Sequence, residues 1–194
     1  LSQDNLKRRL AFSTIGQLGY VILGATLATD LATGGAVLHI AMHACGKITL
    51  FFCAGAIFVA TGKKYVSELR GLGRKMPYTM GAFMIGSLSV IGLPPLGGFI
   101  SKWYLLLGTL ELGWWPVTVL LLISSLLAVA YVWRFVEVAY FQPPPAEASS
   151  DEAPLSMQIP LWILLATTLY FGLQTDVTAG LAQRAALWLL GGGQ

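Results

Sequence analysis

The chain has 194 residues, of which 56% are hydrophobic and only 11% are charged, and its formal net charge is +3. Soluble domains carry about 25% charged residues, so this composition excludes an ordinary soluble domain and predicts an all-α integral membrane protein embedded in a lipid bilayer. The basic residues cluster between apolar stretches, which is typical of membrane topology and argues against nucleic acid as a partner.

Five stretches are long and apolar enough to cross a bilayer as helices of about 20 residues. They cover about residues 9–29, 35–61, 77–110, 115–140 and 155–173. Together they predict one membrane domain over residues 1–194. A hydrophilic linker is expected at 142–153, and the less apolar stretch 177–191 is a candidate interfacial helix.

The third stretch is too long for one simple crossing. It contains Pro94 and Pro95 near its centre, and proline removes a helical hydrogen bond and clashes with the preceding turn. We therefore expect two half-helices joined by an unwound turn, with the helix-breaking residues Gly92, Pro94, Pro95, Gly97 and Gly98.

Charged residues in the loops predict the orientation of the chain. Basic residues precede the first span and fill the loop after the second: Lys7, Arg8, Arg9, Lys63, Lys64, Arg70, Arg74 and Lys75. The opposite side carries Asp30, Glu111 and Asp176 with a single arginine, Arg184. Under the positive-inside rule, the N-terminus of this chain is cytoplasmic. We expect a multi-pass protein of the cell inner (plasma) membrane.

Three ionisable residues share one face of the second span: His39, His43 and Lys47, at i, i+4 and i+8. Imidazole can donate from one nitrogen, accept at the other and titrate near neutral pH, and a poorly hydrated lysine can also carry protons. This face therefore predicts a proton relay. Histidines that only hold helices together are the alternative. A zinc site lacks a third ligand and Lys47 would repel the cation, so no metal or cofactor is expected.

Lys102 follows the helix-breaking run at residues 92–98. An ammonium near the bilayer centre costs several kcal/mol unless it faces a polar cavity, and broken helices are tolerated there only where protein or water satisfies the freed backbone. Lys102 is therefore predicted to be a proton carrier, and the predicted class of function is ion transport.

Four motifs make the chain resemble the antiporter-like membrane subunits. They are LKRRLAFSTIGQLGY at 6–20, LHIAMHACGK at 38–47, LRGLGRKMP at 69–77 and GLPPLGGFISK at 92–102. That superfamily includes the proton-pumping subunits of respiratory complex I and the D-type subunits of Mrp monovalent cation/proton antiporters. The resemblance implies a fourteen-helix inverted-repeat transporter fold with two broken helices and a row of buried charged residues.

By motif, His39, His43 and Lys47 correspond to the relay residues of that superfamily, and Lys102 to the terminal buried lysine on the second broken helix. The resemblance places this chain as the C-terminal part of the fold, so the missing first-repeat helices are expected from the rest of a longer subunit or from another polypeptide. It implies part of a transporter and not an enzyme, with other membrane subunits as partners and protons, together with sodium or potassium, as candidate ions.

The sequence of the motif at residues 92–102, which ends in lysine, favours part of a monovalent cation/proton antiporter, similar to the D-type subunits of Mrp complexes. Two alternatives remain open. One is a non-redox, proton-translocating membrane subunit of NADH-quinone oxidoreductase or of a related hydrogenase complex. The other is a non-transporting scaffold, which would tolerate loss of Lys102 where a relay would not.

Overall fold

The computed structural model describes residues 2–144 and 152–191, and within these ranges the regular elements are helical, with one isolated bridge between Asn5 and Tyr65. The helices are α1 (Leu6–Leu27), α2 (Asp30–Thr61), α3 (Leu72–Lys75), α4 (Pro77–Ile91), α5 (Gly97–Glu111), α6 (Trp115–Val136), α7 (Leu155–Leu173) and α8 (Thr175–Leu189). A 3₁₀ turn at Val66–Glu68 precedes α3, and a π-helical turn at Glu137–Phe141 extends α6. The all-α prediction is confirmed for the described part of the chain.

Four of these helices are long and apolar enough to cross a membrane: α1, α2, α6 with its π-helical turn, and α7. The third predicted span, 77–110, is instead divided between α4 and α5, which have 15 residues each. Fifteen residues rise about 22 Å, less than the roughly 30 Å of a hydrocarbon core, so neither half is long enough to cross alone.

Helix α2 lies at the centre and packs against α1, α4, α5, α7 and α8. It begins at Asp30 and not at the predicted residue 35, because the Thr29 side chain caps it by accepting the N–H of Ala32 at 3.1 Å. Asp30 lies in the first turn, where the positive end of the helix dipole favours a carboxylate. Gly35 then lets α5 approach, since a Cβ there would lie 2.8 Å from the backbone nitrogen of Leu105.

The two basic segments predicted to share one side of the membrane are joined by backbone hydrogen bonds. The N–H of Leu6 donates to the Lys64 carbonyl at 3.0 Å, and the N–H of Val66 donates to the Asp4 carbonyl at 2.8 Å. The largest apolar core lies at this end of the molecule and includes Leu6. The start of α1 and the loop after α2 therefore form one packed surface.

Residues 145–151 of the predicted hydrophilic linker 142–153 lie outside the described residues. On one side of them Pro144 packs against Gly71, where a Cβ would come within 2.7 Å of the proline. On the other side the Glu152 carboxylate accepts the N–H of Tyr78 at 2.6 Å and the hydroxyl of Thr79 at 2.8 Å. Glu152 thereby caps the first turn of α4.

Helix α8 corresponds to the stretch 177–191 that was predicted as an interfacial helix. It begins at Thr175 and buries three of its four alanines, Ala179, Ala182 and Ala186. Ala182 contacts the first half of α2 at Leu38 and Met42. Its position relative to a bilayer stays a prediction.

Candidate functional site

Lys102 lies on α5 and reaches back across the break to the end of α4. Its Nζ donates to the carbonyl oxygens of Val90 and Ile91, each at 2.9 Å, and to Oγ of Ser125 at 3.4 Å. The last carbonyls of a helix have no partner within the helix and carry the negative end of its dipole. The break therefore leaves carbonyl oxygens free to accept from a cation, whereas in an unbroken helix they would accept backbone N–H groups of the next turn.

Gly92 is required at the break for two reasons. Its φ of +91° lies in the left-handed region, and a Cβ at this position would lie 2.9 Å from Cδ of Lys102. A side chain at Gly92 would thus strain the turn and push the lysine out of its place.

The unwound segment is shorter than predicted, because Gly97 and Gly98 belong to the first turn of α5. A Cβ on Gly98 would overlap the carbonyl oxygen of Ser89, and one on Gly97 would overlap the sulfur of Met42. These two glycines therefore permit close packing of α5 against α4 and α2, and the irregular backbone is limited to residues 92–96.

His39 is held by a serine that precedes Lys102. Its Nδ1 lies 2.8 Å from Oγ of Ser101, and that hydroxyl donates to the Gly98 carbonyl at 3.2 Å. With the Ser101 hydroxyl donating to the Gly98 carbonyl, a neutral His39 is assigned the tautomer in which Nδ1 donates to Ser101 and Nε2 is the acceptor. Nε2 is buried and has no hydrogen-bond partner among residues 2–144 and 152–191.

His43 stacks on His39 without a direct hydrogen bond. The ring centroids are 5.5 Å apart and the planes are within 11° of parallel. Both nitrogens of His43 are buried without a partner in the described part of the chain. Three imidazole nitrogens of this pair are therefore available to a proton or to water.

Lys47, the third member of the predicted relay, points towards α1 and α6. Its Nζ donates to the Leu10 carbonyl at 3.2 Å and lies 6.0 Å from the centre of the Tyr131 ring. The Tyr131 hydroxyl accepts from Ser13 at 2.8 Å, and both residues line a cavity of about 600 Å³ between α1 and α6 that Gln17 also lines. Lys47 therefore lies close to Tyr131, a residue that lines this cavity.

Tyr20 stands between the histidines and Lys102. Its ring centre is 5.3 Å from the His39 ring and 5.0 Å from Nζ of Lys102, and its hydroxyl is 3.5 Å from Oγ of Ser125. No hydrogen bond among the described residues runs directly from His39 to Lys102. Tyr20, Ser101 and Ser125 were not singled out from the sequence as site residues, although Tyr20 and Ser101 lie within the quoted motifs.

His39, His43 and Lys47 lie on α2 and Lys102 lies on α5, and these two helices pack against each other. Ionisable groups of the kind that bind metals are sparse there. Residues 2–144 and 152–191 contain no group of three or more His, Cys, Asp or Glu placed to hold a metal ion.

Known proteins are similar to this chain over most of its length. The family model described as NADH:quinone oxidoreductase/Mrp antiporter, transmembrane, matches residues 1–128. NADH-quinone oxidoreductase subunit N of Desulforudis audaxviator is 41% identical over 204 aligned positions, which cover 98% of this chain and 41% of the relative. The A/B subunit of a probable K(+)/H(+) antiporter of Rhizobium meliloti is 34% identical over 185 positions, covering 92% of this chain and 18% of the relative.

Among solved structures, a chain of the Mrp complex from Dietzia sp. DQ12-45-1b has the same fold, with a TM-score of 0.89 at 22% identity. The superposition covers 97% of this chain and 43% of that one. The chain therefore spans less than half the length of each of these three proteins.

Proposed function

The chain belongs to the NADH:quinone oxidoreductase/Mrp antiporter transmembrane family, and from this premise we propose that it carries part of a proton path through a multi-subunit membrane complex. One observation carries the proposal. The Lys102 ammonium lies inside an apolar helix bundle, on the carbonyls that a broken helix frees, and shares the Tyr20 ring with His39. Ionisable residues at membrane depth are expensive and are retained mainly where they transport or bind.

Lys102 is proposed to exchange its proton at the contact with Ser125. The carbonyls of Val90 and Ile91 can only accept, so they hold two of the three N–H groups of the ammonium and both N–H groups of the neutral amine. The Ser125 hydroxyl can either accept from the ammonium or donate to the lone pair of the neutral amine. Both states of Lys102 therefore find partners in the same site.

The histidines are proposed to connect Lys102 with Lys47 through water. A buried nitrogen that makes no hydrogen bond costs about 1–3 kcal/mol, which favours water molecules bonded to Nε2 of His39 and to both nitrogens of His43. The Tyr20 ring interrupts the direct route from His39 to Lys102, so transfer there requires water to enter beside the ring or the ring to move.

Within the family we propose, as the first candidate, a non-redox membrane subunit of a complex I-type assembly. Identity supports it, at 41% with the oxidoreductase subunit N against 34% with the antiporter relative. The second candidate is part of a monovalent cation/proton antiporter of the Mrp D type, which the motif at residues 92–102 favoured. It is supported by the 34% identity to part of a probable K(+)/H(+) antiporter. The two differ in the energy source: electron transfer drives the first, and an ion gradient drives the second.

The test is substitution of Lys102 in the assembled complex, reconstituted in vesicles. Lys102→Ala removes the ammonium, whereas Lys102→Arg retains a cation that can still reach the freed carbonyls and does not release its proton at accessible pH. Both variants should lower proton transport, by about 100-fold if the lysine acts as an acid–base group, as such groups contribute about 10²–10⁴-fold. Proton uptake is measured with NADH in one arm and with a sodium or potassium gradient in the other.

Arg74→Ala is the matched control, because it removes one exposed cation from the basic loop and leaves the site intact. It should transport at the level of the unaltered complex. Normal transport by Lys102→Arg would show that a fixed positive charge is sufficient. Normal transport by Lys102→Ala would show that this chain acts only as a structural scaffold.

A further inference from the structure

A small pocket opens where the start of α1 meets the end of α2. Its volume is about 100 Å³, and it is lined by Asn5, Leu6, Lys7, Ala54, Phe58, Lys63 and Lys64. We call it the lysine pocket. The Nζ atoms of Lys7 and Lys64 lie 5.4 and 5.1 Å from the centre of the Phe58 ring. Ammonium groups from two separate segments thus converge on one aromatic side chain.

The lysine pocket has no acidic counterpart among the residues that line it. None of its three lysines forms an ion pair within residues 2–144 and 152–191, where the recorded ion pair joins Arg134 to Glu137. Two carboxylates lie nearby: Asp4 accepts from Ser67 at 2.6 Å, and Glu68 accepts the backbone N–H groups of Lys64 and Tyr65 at 3.1 Å. The three lysines of the pocket outnumber these two carboxylates, and an anion between the ammonium groups would relieve their mutual repulsion.

An exposed apolar stripe on α2 leads into the lysine pocket. It consists of Ile48, Phe51 and Phe58, which are 44%, 36% and 37% exposed, and Phe58 belongs to both features. Their spacing of i, i+3 and i+10 keeps them on one helix face. Ten residues of helix rise about 15 Å, which is half of a hydrocarbon core of about 30 Å and hence the depth of one leaflet.

We propose that the lysine pocket binds the phosphate of an anionic phospholipid whose acyl chains lie along this stripe. The shape and chemistry match: a basic cavity at the end of two membrane helices continues directly into a leaflet-deep apolar surface. Basic residues near an anionic leaflet contribute roughly 1 kcal/mol each, equivalent to about fivefold in affinity per lysine. None of the four residues proposed for the proton path lines this pocket.

The experiment uses the full complex, purified and stripped of loosely bound lipid in a neutral detergent, with bound phosphatidylglycerol counted by native mass spectrometry during titration. The variant Lys7→Gln/Lys63→Gln/Lys64→Gln should lose one bound phosphatidylglycerol, with at least a tenfold rise in the concentration needed to fill that position. The control Arg70→Gln/Arg74→Gln/Lys75→Gln removes the same amount of charge from the segment after α2, outside the pocket, and should keep the bound lipid.

Three results would overturn the proposal. Equal lipid binding by the two triple variants would mean that the pocket lysines do not bind the lipid specifically. Equal binding of phosphatidylcholine and phosphatidylglycerol would remove the anionic requirement. Displacement of the lipid by millimolar inorganic phosphate, without any dependence on acyl chains, would identify a site for a soluble anion.

Discussion

In the assigned hydrogen-bond network, the Ser101 hydroxyl donates to the Gly98 carbonyl and accepts from Nδ1–H of His39. Ser101→Ala should therefore release His39 from the Nδ1–H form and leave Nδ1 buried without a partner, at a cost of about 1–3 kcal/mol. We expect proton transport to fall several-fold. The measurement that reports the cause is ¹⁵N NMR of histidine-labelled complex, in which the His39 signal should move from the Nδ1-protonated form towards a mixture of tautomers.

Thr168→Val is the control for this prediction. Thr168 is as buried as Ser101, but its hydroxyl bonds only to the Leu164 carbonyl of its own helix. Its loss should leave both the histidine spectrum and transport unchanged. An unaltered His39 signal in Ser101→Ala would mean that the serine does not set the tautomer.

The four ionisable residues proposed to form the relay could be singled out from the sequence, whereas their hydrogen-bond partners could not. A histidine or lysine in an apolar helix is conspicuous because it is costly there. Hydroxyl residues such as Ser125 are common in membrane helices and usually bond to their own backbone, so nothing in the sequence separates Ser125 from Thr168. Only the packing of α6 against the break brings Ser125 to Lys102.

At the scale of the helices, the fit of α5 against α4 depends on Gly98. Gly98→Ala should disturb this contact, since the new Cβ would overlap the backbone carbonyl of Ser89, which cannot rotate away as a side chain could. Overpacking of this kind costs about 1–3 kcal/mol. We expect a lower thermal denaturation temperature of the complex and a displaced Lys102, hence reduced transport.

Gly81→Ala serves as the comparison within α4, because a Cβ at that position meets no atom within 4 Å. Alanine is the better helix former by about 1 kcal/mol, so this variant should be as stable as the unaltered protein or more so. If both glycine variants unfold at the unaltered temperature, the α4–α5 contact is looser than its geometry implies.

Hydropathy and the proline positions predicted where the helices lie more accurately than where each helix begins and ends. The break was expected at Pro94 and Pro95, and the structure has it there, but Gly97 and Gly98 were assigned to the break because glycine is a poor helix former. Their real constraint is close packing, which depends on the position of α2 and α4. The cap of α4 by Glu152 was equally hidden, because 73 residues separate the carboxylate from the hydroxyl it binds.

For the whole molecule, the strongest constraint on orientation is that the two basic segments form one surface. The start of α1 and the loop after α2 are bonded to each other, so they lie on the same side of any membrane that the helices cross. The loop between α5 and α6 lies at the other end of the broken pair α4 and α5. Loop charge alone predicted this arrangement, but it could not reveal the cavity lined by residues of α1 and α6.

Cysteine labelling tests the orientation directly. In a background with Cys45→Ala and Cys53→Ala, single cysteines are introduced as Ser67→Cys in the basic loop and Leu112→Cys in the loop between α5 and α6, where both side chains are exposed. Because basic loops stay in the cytoplasm, a membrane-impermeant thiol reagent should label Ser67→Cys only in inverted vesicles and Leu112→Cys only in right-side-out vesicles. The cysteine-free background should remain unlabelled in both. The reverse pattern would place the N-terminus outside, and labelling of both positions from one side would mean that α4 and α5 together do not cross the membrane.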